Sequence, residues 1–276
     1  MKKRIVIIAL VVALVATCFG GTIAYLTDTD SAVNTMTYGN VEIKQVEYQR
    51  AEGVADNATA SVAAGTLVPF VQNQKISPAT QLVSINELPF TAAMTKDESF
   101  KWGDYTYTGT SWNGLYDSEK LGNVIDKFVF VENGADNDVY FRTIVAFEAP
   151  GDMTVGDYGD NIAVNVNNGG YSWEDKGYTT IDGVRYFISV ATYCVPNDLG
   201  VGVLPKSAKS HPSLLQFYLD PAMTNDQINE FQGTYDVLVM SQATQVEGFA
   251  NAEQALDISF GDDTLENCAA WLADIQ

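Results

Sequence analysis

The sequence predicts an all-β fold: an antiparallel β-sandwich with a few short helices, preceded by an N-terminal signal helix. Three observations lead there. Runs rich in Val, Ile, Phe, Tyr and Thr recur along the chain, and the clearest of them alternates between two faces. Seven or more such runs are separated by Gly-, Asn- and Asp-containing turns, the pattern of a sandwich. One uncharged, strongly apolar stretch stands at the N-terminus and nowhere else.

That first stretch has three parts. "MKKR" is basic, "IVIIALVVALVATCF" is a 15-residue uncharged run, and "GGTIA" ends in small residues. This is the order of an export signal. Thr22 and Ala24 fit the −3 and −1 pockets of a signal peptidase, which predicts cleavage before Tyr25. Two alternatives stand beside it. The 22 residues from Ile5 to Leu26 carry no charge, enough to span a bilayer as an uncleaved anchor, although Gly20 and Gly21 weaken the helix. "LVATC" approaches a lipoprotein box ending at Cys18, with Thr17 poorly suited to precede it. Residues 1–24 are thus expected to be the signal, and residues 25–276 one domain without a linker or an internal repeat.

Residues 25–36, "YLTDTDSAVNTM", are polar and are expected to form a flexible arm. Leu26, Asp28, Val33, Met36 and Tyr38 are its candidate assembly residues. "MTYGNVEIKQVEYQ" is the first β-rich run. "AEGVADNATASVAAG" is poor in large apolar groups and predicts a loop, and "TLVPFVQ" is a weaker strand. "TKDESFKWGDYTYTGTSWNGLYDSEKLG" predicts a long aromatic and polar excursion. In "VYFRTIVAFEA", Val139, Phe141, Thr143, Val145 and Phe147 share one face, and Tyr140, Arg142, Ile144, Ala146 and Glu148 the other, more mixed one. With the preceding "DKFVFVEN" it reads as a hairpin turning at Asn133-Gly134. "GVRYFISVATYCV", "SLLQFYLDP" and "TYDVLVMSQATQVE" are further strands. Helices are expected at "TNDQINEFQG", capped by Thr224 and Gln227, at "NAEQALDI" from Asn251, and at "DDTLENCAAWLADI". In the last, Leu265, Cys268, Ala269 and Leu272 recur at helical spacing, making Cys268 a small core residue.

Composition narrows function by exclusion. The chain has 35 acids against 15 bases; without Lys2, Lys3 and Arg4 the formal charge is near −23. Such a surface repels phosphate, so no nucleic acid is expected as partner, and membrane contact only through an uncleaved signal. Beyond the signal only Cys194 and Cys268 remain, which is no disulfide framework; whether they pair is left open.

No constellation points to catalysis, and no cofactor is expected. His211 is the single histidine, so an H-E-x-x-H zinc site cannot be assembled. A Cys194/His211/Cys268 metal site has no ligand-pair spacing, and against a Cys194–His211 nucleophile pair stands the place of Cys194 at the end of an apolar β-run, where a cysteine serves as inert packing. Asp28 with Asp30, and Asp136 with Asp138, are the weak candidates for oxygen ligation, and turn or cap roles explain them more simply. Trp102, Trp112 and Tyr116, with Tyr105 and Tyr107, are candidate binding aromatics or a hydrophobic plug on one end of the sandwich.

Three stretches together carry a family likeness. "GTIAYLTDTDSAVNTMTYGNVEI", through Gly21, Thr22, Ala24, Leu26, Asp28, Asn34, Met36, Gly39, Val41 and Ile43, resembles the start of TasA/camelysin-like exported proteins of Gram-positive bacteria. "DKFVFVENGADNDVYFRTIVAFEAP" is similar to their central hairpin at Val131, Asn133, Asp138, Tyr140 and Arg142. "SQATQVEGFANAEQALD" resembles their late segment at Ala243, Gln245, Gly248 and Phe249. The three cover about a quarter of the chain, in the family's order; residues 90–120 and 150–210 carry no such likeness.

The resemblance implies a jelly-roll sandwich and processing by a SipW-type signal peptidase. It implies secretion to the extracellular matrix or cell surface, and assembly into biofilm fibres with itself or related subunits, the N-terminal arm completing the next subunit's sheet. The expected function is therefore structural rather than enzymatic. Two alternatives are a camelysin-like metal-dependent peptidase, which the residues do not support, and a surface adhesin or glycan-binding module using the aromatic stretch.

Overall fold

The computed structural model describes residues 35–38, 41–50, 67–70, 94–95, 124–156, 160–220, 223–231 and 235–274. In chain order the first strands are β1 (Thr35–Tyr38), β2 (Ile43–Arg50), β3 (Leu67–Pro69), β4 (Met94–Thr95), β5 (Val124–Asp126) and β6 (Phe128–Asn133). Next come β7 (Val139–Glu148), β8 (Val155–Gly156), β9 (Ile162–Val166), β10 (Tyr171–Ile181) and β11 (Val184–Tyr193). The last strands are β12 (Pro196–Asn197), β13 (Gly200–Val201), β14 (Ala208–Lys209), β15 (Leu214–Leu219) and β16 (Val237–Gln245). Helix α1 (Asn225–Glu230) precedes β16; α2 (Ala252–Phe260) and α3 (Leu265–Ala273) follow it.

The protein is an all-β sandwich. Its main sheet has the order β1-β16-β7-β11-β10, antiparallel except for the parallel pair β1/β16. Facing it lie two smaller sheets, β3-β2-β6-β14-β4 and β5-β15-β9-β8. These two join side by side, as the Lys127 amide donates to the Leu215 carbonyl and the Ser213 amide to that of Val129. The core fills the space between the layers: Val145, Phe147, Val237 and Val239 of the main sheet meet Val129, Leu214 and Phe217. Farther along, Phe141, Tyr193 and Ala243 meet Ile43 and Val131.

The faces of β7 are divided as its alternation predicts, but neither is open to water. All ten residues of β7 are buried. The mixed face is roofed by the last two helices. Cys268 and Leu272 of α3 pack on Ile144, Ala146, Ile188 and Met240. Ala252, Ala255 and Leu256 of α2 pack on Tyr140. Each helix starts where a side chain satisfies an orphan amide: Asn251 accepts from the Gln254 amide and Thr264 from that of Asn267. The predicted capping box forms at α1, with Thr224 Oγ1 accepting from the Gln227 amide and Gln227 Oε1 from the Thr224 amide.

One local prediction is corrected. Strands β6 and β7 do not pair; β6 lies beside β2 and β14, and β7 beside β16 and β11, so the Asn133–Asp138 segment crosses from one layer to the other. The reason is visible at Asn133, which is fully buried. Its carboxamide donates to the Asn137, Leu204 and Pro205 carbonyls and accepts from the Ala135 amide, making a post for the crossing. The Gly134 amide meanwhile continues the β2 ladder by donating to the Glu42 carbonyl. The hairpin turn of the main sheet is instead Asp182-Gly183, both with positive φ (48° and 90°), as a two-residue turn between right-twisted strands requires.

Candidate functional site

The richest concentration of chemistry lies inside the sandwich, where β2 approaches the β16 side of the main sheet. On β2, Ile43, Gln45 and Glu47 share the inward face, as do Val129 and Val131 of the pairing strand β6 and Lys127 just before it. Three of those six inward positions are polar. They are connected. Thr143 Oγ1 and Ser241 Oγ are 3.1 Å apart across β7 and β16. The Ser241 hydroxyl donates to Gln45 Oε1 at 2.9 Å, bridging the two layers. Gln45 Nε2 donates to Glu47 Oε1 at 3.0 Å and lies 3.4 Å from the Val239 carbonyl. Lys127 Nζ donates to Glu47 Oε2 at 2.8 Å, with the Phe70 ring 4.5 Å away. The Lys127 side chain is wholly buried and that of Glu47 is 7% exposed, so this is an ion pair inside the fold.

The same side of the main sheet receives the N-terminal chain. β1 runs parallel to β16, with Thr35 opposite Ser241 and Tyr38 opposite Thr244. The last two residues of the expected arm, Thr35 and Met36, thus belong to a strand laid directly beside the strand supplying Ser241.

On the opposite face of the sheet, Arg142 holds the helical roof. Its Nε donates to Gln242 Oε1 at 2.8 Å, one terminal nitrogen to Asp257 Oδ1 at 3.0 Å, and the other to the Gly261 carbonyl at 2.8 Å. Trp271 stacks 5.2 Å from the guanidinium. This is a fork-shaped group used for its geometry, and its role is architectural.

His211 is buried on the inner side, its ring centroid 5.9 Å from that of Tyr193. Burial holds its pKa down at about 3, so it is neutral at physiological pH. Its carbonyl accepts from the Tyr171 hydroxyl at 2.7 Å and from Ser210 Oγ at 2.7 Å. At the other end of the sheet, burial pushes the Glu148 carboxyl up to about 7, against the pull of the Asp236 amide that donates to it and with the push of the Asp236 carboxylate.

The expected site residues fall as follows. Thr22, Ala24, Tyr25, Leu26, Asp28, Asp30, Val33, Trp102, Trp112 and Tyr116 lie outside the described residues. Met36 and Tyr38 are in β1. Asp136 is exposed, and Asp138 caps a neighbouring turn by accepting from the Lys206 amide at 2.9 Å. Cys194 and Cys268 are free thiols. Burial raises the Cys268 thiol to about 12, in keeping with its expected place in the core. Among the described residues, no group of three or more His, Cys, Asp or Glu is placed to hold a metal ion, and no helix is long and apolar enough to cross a membrane.

The inner polar array went unread in the sequence, although it left a trace: Gln45 and Glu47 interrupt the face that Ile43 begins, and Lys127 opens the face continued by Val129 and Val131. Polar groups on a core-facing strand position announce a buried network. The chain matches no known family model, no curated protein and no solved structure.

Proposed function

We propose that this chain is an exported structural protein of the extracellular matrix or cell surface, a jelly-roll-like sandwich that assembles with copies of itself through its N-terminal segment and has no catalytic role. Export through a SipW-type signal peptidase, with the mature chain beginning at Tyr25, belongs to the same proposal.

The observation that carries it is the position of β1. This four-residue strand pairs with a strand more than two hundred positions later in the sequence and is parallel in an otherwise antiparallel sheet. Main-chain hydrogen bonds supply most of what holds a strand added at an edge, and they are indifferent to which copy provides it. A short terminal strand is an inexpensive element to exchange between copies, because the exchanged contacts equal those given up. The polar residues before it, 25–34, are suited to stay solvated until the strand docks, and the strong net charge opposes unspecific clumping.

Mature protein starting at Tyr25 is expected to form filaments visible by negative-stain electron microscopy. Protein lacking residues 25–36 is expected to stay monomeric while keeping the circular dichroism of the folded sandwich. Filaments from both proteins, or from neither, would overturn assembly through the arm. N-terminal sequencing of the secreted form tests the cleavage site.

A further inference from the structure

The chain contains Asn-Gly steps at 113–114, 133–134 and 168–169, of which the first lies outside the described residues. In such a step the chain itself sets the glycine nitrogen next to the asparagine carboxamide, and no Cβ hinders the approach. The fold treats the two described steps differently. Asn133 is 0% exposed, and its carboxamide is held by the Asn137, Leu204 and Pro205 carbonyls and the Ala135 amide. The Gly134 amide is engaged with the Glu42 carbonyl at 2.8 Å. Nucleophile and electrophile are both tied down there, away from water. Asn168 stands exposed in the turn between β9 and β10, and among the described residues no hydrogen bond holds its carboxamide. The anchor of that turn is its neighbour Asn167, also 0% exposed, whose Nδ2 donates to the Pro212 carbonyl at 2.9 Å. Asn167 Oδ1 accepts from the Gly170 amide at 2.8 Å and from the Gly169 amide at 3.2 Å. The Gly169 amide therefore makes the longer arm of a shared bond, and its release leaves the acceptor satisfied.

We propose that Asn168 is a site of self-modification, converting to aspartate and isoaspartate through a cyclic imide with Gly169, while Asn133 is preserved. The Gly169 nitrogen gives its proton to solvent and attacks Cγ of Asn168. Nδ2 takes up a proton from water, the Cγ–Nδ2 bond breaks, and ammonia leaves. One carbon–nitrogen bond forms and one breaks, closing the imide ring. Water then opens the ring at either carbonyl. One opening yields aspartate; the other yields isoaspartate, in which the former side-chain carbonyl has joined the main chain. Water is the sole co-reactant, and proximity along the chain supplies what an external enzyme otherwise would.

The turn is where the chain passes from β9, in one of the smaller sheets, to β10, at the edge of the main sheet. Two bonds clasp it: the Trp173 indole donates to the Asn167 carbonyl at 3.3 Å, and the Cys194 amide to the Gly170 carbonyl at 3.0 Å. Isoaspartate lengthens the main chain by one methylene between these clasps, and either product adds a negative charge to a chain already at −20. Because Asn167, not Asn168, anchors the turn, the change stays local and the sandwich keeps its fold. The folded protein thus records its age at this one exposed step. The chemistry stands independently of whether the chain polymerises.

The test is a tryptic map of folded wild-type protein aged at mildly alkaline pH, beside a sample aged in urea. Trypsin separates the two steps, placing Asn133 in residues 128–142 and Asn168 in residues 143–176. In the folded sample the Asn168 peptide is expected to gain the mass difference between a carboxamide and a carboxylic acid. It should split into two chromatographic peaks, aspartate and isoaspartate, with fragment ions placing the change at Asn168. The Asn133 peptide should stay unchanged when folded and convert in urea. Gly169→Ala, at a position without positive φ, is expected to suppress the Asn168 conversion. Asn168 keeping its carboxamide in the folded sample while converting in urea overturns the proposal, as does folded-state conversion of Asn133 at the same rate. The wild-type maps decide whether or not the variant folds.

Discussion

Arg142 and Asp257 are joined by a 3.0 Å ion pair that fastens the second helix to the middle of the main sheet. The guanidinium is 2% exposed and the carboxylate 30%, so the acid keeps part of its water while the base has lost nearly all of it. The base therefore depends on its partners more than they depend on it. Arg142→Ala removes the fork from Gln242, Asp257 and the Gly261 carbonyl together, and is expected to destabilise the fold by about 3 kcal/mol. Arg142→Lys should recover little of that, since an ammonium cannot span three acceptors set around a plane. Urea unfolding of both variants measures the difference, and limited proteolysis should cut the α2–α3 region first.

Burial of His211 makes a pH prediction with a definite sign. Its pKa falls from 6.5 unfolded to about 3 folded, so below pH 6.5 the unfolded chain binds the proton and the folded one does not. Stability is expected to fall as pH drops from 6.5 toward 3, by at most about 1.4 kcal/mol per unit from this residue. Other groups titrate in the same window, so the measurement is the difference between wild type and His211→Gln across it. That difference should shrink steadily as the pH falls and level off near 3. A difference independent of pH would contradict the neutral, buried histidine.

Glu148 acts in the opposite direction. Its pKa is raised from 4.5 to about 7, so between these values the folded state holds a proton that the unfolded state has released. Its contribution is fully present below pH 4.5 and lost as pH rises through 7. Glu148→Gln keeps an acceptor for the Asp236 amide and removes the titration. The variant should gain on wild type through that range, by up to about 3 kcal/mol, and then run parallel above it.

Two glycines separate backbone conformation from crowding. Gly183 has φ +90° and nothing within 4 Å of where a Cβ would stand, whereas Gly202 has φ +77° and its Cβ would meet the Tyr193 carbonyl oxygen at 2.5 Å. Gly183→Ala should cost about 1 kcal/mol, the strain of a left-handed residue. Gly202→Ala adds a collision with backbone that cannot rotate away, and about 3 kcal/mol is expected. Thermal unfolding should rank them in that order.

What was legible in the sequence follows the range of the forces involved. The alternation of Val139 to Glu148 needs only neighbouring residues, and so do the caps at Thr224 and Asn251; all of these stand in the structure. Asn133-Gly134 misled because a local turn signal was overruled by pairing of β6 with β2, some 85 positions earlier. Strand β10 escaped notice because Glu174, Asp175 and Lys176 occupy its middle. These charges and the bulge between Asp175 and Gly177 are what an edge strand uses to refuse a neighbour, and they hide it from any search for apolar runs. The candidate site was half visible. Gln45 and Glu47 sit on a core face by simple alternation, but the meeting of Gln45 with Ser241, 196 positions away, is a property of the fold alone.

The pairing of β1 with β16 offers a direct test of strand exchange. Thr37 stands opposite Ala243, and partners in adjacent strands lie within the Cα separation a disulfide tolerates. In Thr37→Cys/Ala243→Cys protein, oxidation of the monomer should close a bond within one chain, because β1 folds back on its own β16. If copies exchange β1 during assembly, oxidation of filaments should link different chains, giving a ladder of covalent oligomers on a non-reducing gel that reductant collapses. Each single-cysteine variant should show no ladder. Filaments yielding only internally closed monomer would mean that β1 stays with its own sheet and that subunits associate through another surface. The ladder requires β1 of one copy to occupy the register seen here, Thr35 to Tyr38 along Ser241 to Thr244, on the next.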